Sequence, residues 1–98
     1  MFKFFVELAG TFFFLSVIII TVQQKFKWAP FAIGLALTIS CLWGGPVTGG
    51  HFNPAVSTMF YLDQKLNLYN YIGYVISQII GAILALLYGK KVFKYINH

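Results

Sequence analysis

A chain of 98 residues that is 59% hydrophobic and only 9% charged has too few ionic groups to cover a water-soluble fold, and its composition is that of a membrane protein. The net charge of +5 is no nucleic-acid signature, because every basic residue is a lysine placed between or beyond apolar runs, where lipid headgroups would meet it. Cys41, the one cysteine, excludes a disulfide framework or a thiolate metal cluster. It lies within an apolar run and reads as a buried small hydrophobe.

The first predicted span covers about 4–22 and contains one acid, Glu7. It is long enough to cross a bilayer and carries no small-residue cleavage pattern, so it reads as a mature span rather than a signal peptide. An intramembrane carboxylate faces the protein interior by default, with partners; the alternative is a residue close enough to the helix end to reach the interface. Gly10 and Thr11, one turn on, give the same face a close-packing surface. A polar, basic link follows, ending at an interfacial Trp28.

The second span covers about 30–43, bracketed by Trp28 and Trp43, with small residues at Ala32, Ala36, Ser40 and Gly44. The stretch 44–62 is different in kind. A glycine-rich segment, 44–50, leaves backbone carbonyls bare. Asn53 then offers an N-cap and Pro54 the first helical position. A helix from Asn53 to about Leu62 would be roughly 14 Å long, half of a hydrocarbon core about 30 Å thick. Bare backbone at membrane depth is tolerated only inside protein or beside a watery cavity, so the stretch predicts a re-entrant loop and half-helix lining a pore.

The third span covers about 68–88. Gly73, Ser77, Gly81, Ala85 and Gly89 recur at every fourth position, a helix-packing stripe. Gln78, beside that stripe, needs hydrogen-bond partners, and the carbonyls of the re-entrant loop are the expected acceptors. The tail from Lys90 onward reads as an interfacial end, and His98 carries no site signal. The fold class is therefore an all-α membrane protein of three transmembrane helices plus one re-entrant half-helix, within a single unit of residues 1–98.

Taken in order, these residues resemble one family, the aquaporin and aquaglyceroporin channels. Its motif appears as Thr48-Gly49-Gly50-His51-Phe52-Asn53-Pro54-Ala55-Val56, with Glu7-x-x-Gly10-Thr11-Phe12 before it. Gly34-Leu35-Ala36 and Tyr74-x-x-x-Gln78-x-x-Gly81-Ala82 add support, and Thr58 is a small departure from the usual aliphatic residue. The match covers the first half of such a channel over essentially the whole chain. The resemblance implies that Asn53 donates to a water or hydroxyl oxygen at the pore centre. It implies that the carbonyls of Gly49, Gly50 and His51 form an acceptor ladder, with Glu7 and Gln78 bracing the loop from behind. Ile33 falls where the narrow filter takes its second-span residue, and an aliphatic side chain there implies a wider or less polar constriction. The positive end of the half-helix would disfavour cations.

The family's second half, with its own Asn-Pro-Ala and a filter arginine, has no counterpart in this sequence, which contains no arginine. Inverted repeats in transport proteins are related by an axis in the membrane plane. An oppositely inserted copy could therefore complete the pore as an antiparallel homodimer, and four such pairs would give the family's tetrameric arrangement. A separate second-half chain, or a lost downstream region, is the other completion. In the family's orientation Lys3 and Lys65 face the cytoplasm, while Lys25, Lys27, Lys90, Lys91 and Lys94 lie opposite; positive-inside reasoning favours the reverse insertion.

The expected function is passive transport of water or small neutral solutes such as glycerol. The competing readings are a non-conducting subunit that modulates a full-length channel, and an inactive truncated product. No enzyme is expected, since His51 and the scattered serines show no pairing of base and nucleophile with an orienting acid. No cofactor, metal or nucleic-acid partner is expected either: His51, Cys41 and Glu7 lack ligand spacing.

Overall fold

A computed structural model describes residues 1–97, and His98 lies outside them. The described residues form four helices and no strand: α1 (Phe2–Gln23), α2 (Ala29–Thr48), α3 (Pro54–Leu62) and α4 (Leu68–Ile96). By length and apolar composition, α1, α2 and α4 can each cross a membrane. The polarity is inverted relative to a soluble protein. Glu7, Thr11, Ser40, Ser57 and Gln78 are buried, while Phe5, Phe31, Leu42, Ile76 and Leu87 face outward. In hydrocarbon that arrangement is favourable, because apolar side chains meet lipid and polar ones meet each other.

α1 is the central helix. It packs against both α2 and α4, and α3 leans on α4. α1 and α4 run parallel: Phe4 fills the space beside Gly73, Thr11 abuts Gly81, and Ile19 abuts Gly89. A side chain on Gly81 would meet the Leu8 carbonyl oxygen at 2.7 Å, so backbone touches backbone there. Ser77 and Ala85 lie on the same buried stripe. α2 runs antiparallel to α1, with Val6 against Gly44, and Phe13 near Ile39.

Two boundaries differ from the sequence expectation. α2 does not stop near residue 43; it stays helical through 44–48, including Pro46. Proline removes one ladder bond, but tertiary bonds anchor the last turn. The Thr48 hydroxyl donates to Glu7, and the Tyr74 hydroxyl donates to the Thr48 carbonyl at 2.8 Å. The loop proper is thus 49–53, shorter than the 44–52 expected. α4 likewise continues to Ile96 rather than ending near residue 88. α3 begins where Asn53 and Pro54 place it. The Asn53 side chain accepts from the Ala55 N–H at 2.8 Å, and nine residues give a helix roughly 14 Å long.

Candidate functional site

The loop between α2 and α3 folds inward onto Glu7. Gly49 (φ 91°) ends α2 in the left-handed region, and Gly50 (φ 70°) follows there, conformations open to glycine at little cost. Phe52 also has a positive φ, 53°, which disfavours a residue with a β-carbon. Its ring compensates. Only 1% exposed, it fills the space that the missing side chains of Gly10 and Gly44 leave between α1 and α2. Phe52 therefore sits at the level of Gly10, about 12 Å along a helix about 33 Å long.

Glu7 is fully buried. Its Oε2 accepts from the Thr48 hydroxyl at 2.6 Å and the His51 N–H at 3.1 Å. Its Oε1 accepts from the Phe52 N–H and from Gln78 Nε2, both at 2.8 Å. A carboxylate offers about four lone-pair sites, and four donors occupy them. The Thr48 hydroxyl accepts in turn from the Gly50 N–H at 3.0 Å. Three successive amides, of Gly50, His51 and Phe52, thus point toward Glu7 and its Thr48 neighbour.

That orientation decides where the carbonyls go. In a trans peptide the C=O of one residue opposes the N–H of the next, and the described residues contain no cis bond. With the amides of residues 50, 51 and 52 turned inward, the carbonyls of Gly49, Gly50 and His51 turn away from Glu7. Cys41, half-buried rather than sealed in the core, lies on that side, its sulfur 3.7 Å from the Gly50 oxygen.

Gln78 does not reach the loop carbonyls expected as its acceptors. Its Nε2 spends both hydrogens on Glu7 and on the Ser57 hydroxyl, the latter at 2.9 Å. The flipped amide would set its oxygen against the carboxylate. Ser57 lies 2.8 Å from His51 Nδ1. The Ser57 oxygen accepts from Gln78 and keeps one lone pair and one proton, so toward Nδ1 it either donates or accepts, according to the imidazole tautomer. Phe60, stacked at 4.9 Å, and Tyr74, edge-on at 5.1 Å, fix the ring plane.

The Ser57–His51 contact is a pairing that the sequence spacing did not show, and it has no carboxylate on the imidazole. It arises because α3 turns Ser57 inward, four residues past Asn53. The pair nevertheless lacks nucleophile geometry, since Ser57 is 0% exposed and its oxygen already accepts from an amide. Among the described residues no three of His, Cys, Asp and Glu converge as a metal site.

Asn53, Pro54 and Ala55 lie exposed at the α3 N-terminus. The Asn53 oxygen caps the helix, leaving its Nδ2 hydrogens directed outward from the network. Ile33 is not brought to the loop. It is half-buried on α2, about 12 Å along the helix axis from Cys41. Ser57, Phe52 and the Tyr74 hydroxyl belong to the structure around the loop without having been assigned a part in it from the sequence. The glycines at 10 and 44 signalled a close approach without saying which side chain would fill it.

Three helices long and apolar enough to cross a membrane, around a loop folded onto a buried carboxylate, define a multi-pass membrane protein. The chain matches the family model described as Major intrinsic protein over residues 1–97, and it belongs to that family. It is an integral, multi-pass membrane protein, with the all-helical architecture of half an aquaporin fold. Among curated relatives, the glycerol uptake facilitator protein-like 6 of Lactiplantibacillus plantarum is 41% identical over 86 residues, covering 85% of this chain and 40% of the relative. The lens fiber major intrinsic protein of Lithobates pipiens is 32% identical over 96 residues (87% and 35%). Aquaporin-5 of Ovis aries is 38% identical over 60 residues (59% and 23%). The chain thus spans less than half the length of these relatives. No solved structure gives a significant match.

Proposed function

We propose that this chain forms one wall of a membrane channel for water or small neutral solutes such as glycerol. The observation that supports this most directly is the turning of three loop amides onto Glu7 and Thr48, which presents the carbonyls of Gly49, Gly50 and His51 as a row of acceptors. At the end of that row stands a donor, the Asn53 amide. A molecule that both donates and accepts, such as water or a polyol hydroxyl, matches such a strip. The N-terminal end of α3 carries a partial positive charge, and it opposes cations beside Asn53. The relatives named for glycerol uptake and as aquaporins support the same solute class.

The exposed Asn53-Pro54-Ala55 turn needs an opposite wall. An oppositely inserted copy would supply it by bringing a second Asn53 to the same level; a second-half partner would supply it otherwise. Glu7, Gln78 and Ser57 act as supports behind the loop, and Ile33 as an apolar position at a separate level of the path.

Osmotic light scattering on liposomes containing only this chain tests the reading. Shrinkage well above that of empty liposomes, with the low activation energy of a water-filled path, is the expected result. Permeability equal to empty liposomes would contradict a pore made from copies of this chain, and recovery on co-reconstitution with a second-half chain would then decide between the completions.

A further inference from the structure

We infer that the end of the molecule carrying Lys25, Lys27, Lys90, Lys91 and Lys94 is a binding surface for anionic phospholipid headgroups. The lysines are remote in sequence, and the fold gathers them. Because α1 and α4 run parallel, with Ile19 against Gly89, the end of α1 and the last turns of α4 lie at the same end of the molecule. α1 stops at Gln23 while α4 runs on to Ile96, so Lys90, Lys91 and Lys94 flank the link that holds Lys25 and Lys27. All five are exposed.

Neither acidic side chain lies near them. Its two acids are Glu7 and Asp63. Both belong to the other end, where Glu7 is buried and Asp63 pairs with Lys65 at 3.4 Å. Among the described side chains, the lysine end therefore carries five positive charges and no negative one. Exposed aromatic residues surround them: Phe26, Trp28, Phe93 and Tyr95. Amphipathic rings of this kind sit at the headgroup level of a bilayer. Lys27 Nζ lies 5.3 Å from the Trp28 ring, which puts a cation and a fluorophore in the same place. Ammonium groups held at headgroup depth attract phosphate-bearing lipids of net negative charge more than zwitterionic ones. A soluble polyanion is a poorer occupant, because the surface is ringed by side chains that belong in the interface.

Trp28 reports the test. In a Trp43→Phe background, its fluorescence is quenched by brominated lipid in mixed bilayers of phosphatidylglycerol and phosphatidylcholine. The expected result is about tenfold preferential quenching by the anionic lipid at low salt, falling toward parity at high salt. Replacing the five lysines by glutamine should abolish the preference, and Lys3→Gln with Lys65→Gln should leave it intact. The five cluster lysines and Lys65 are exposed and Lys3 is half-buried near the helix end, so the helices persist in every variant. Equal quenching by the two lipids in the unsubstituted cluster, or a preference that survives its removal, would overturn the assignment.

Discussion

Each oxygen of the Glu7 carboxylate accepts from two donors, and these donors belong to the end of α2, the loop and α4. One side chain on α1 therefore ties together three other segments of the chain. Glu7→Gln keeps the volume but turns an amide NH2 toward groups that are themselves donors. It is expected to destabilise the fold by about 3 kcal/mol, read as a lower melting midpoint in detergent; an unchanged midpoint would contradict the donor count. At His51 the expected donor to Nδ1 is the Ser57 hydroxyl. Its imidazole should show 15N shifts of the Nε2–H tautomer in the native chain, and Ser57→Ala should release a mixture. A spectrum of the Nδ1–H form would show that the Ser57 hydroxyl donates elsewhere.

At the scale of elements, the packing of α1 depends on places where a side chain is missing. A β-carbon at Gly10 would collide with the Phe52 ring, and one at Gly81 would lie 2.7 Å from the Leu8 carbonyl oxygen. Gly34 and Gly45 face open space within their helices. Gly10→Ala and Gly81→Ala should each cost about 1–3 kcal/mol, while Gly34→Ala and Gly45→Ala should be neutral or mildly stabilising. Equal effects at all four sites in detergent unfolding would contradict the described packing.

Much of this level was legible in the sequence. Asn53 and Pro54 mark the start of α3 by local chemistry alone, and the four-residue spacing from Gly73 to Gly89 marks the buried face of α4. The end of α2 was not legible, since Pro46 is a local breaker and the bonds that hold the turn come from Glu7 and Tyr74. The seat of Phe52 was hidden for a related reason: it is made by glycines on two helices, Gly44 on α2 and the sequence-distant Gly10 on α1. Gln78 was recognised as needing partners, but the identity of Ser57 depended on which way α3 turned.

For the whole molecule, the parallel course of α1 and α4 makes an object with a charged end and a nearly neutral one. Lys27→Cys and Lys65→Cys, each in a Cys41→Ser background, should each label from both sides of an intact membrane with an impermeant thiol reagent, the mixed insertion that an antiparallel pair requires. Labelling of the two positions from opposite sides only would show a single orientation and would contradict a pore made from oppositely inserted copies.

The most direct measurement of the central claim is water permeability of liposomes containing Asn53→Asp beside the unsubstituted chain. Aspartate caps α3 as well as asparagine does, so the half-helix and loop persist, while the two Nδ2 hydrogens are lost and a negative charge appears at the end of the carbonyl row. The account predicts at least about a tenfold drop in permeability, equivalent to about 1.4 kcal/mol or more on the barrier, with helical content unchanged. Equal permeability of the two chains would contradict a permeation path that runs past Asn53.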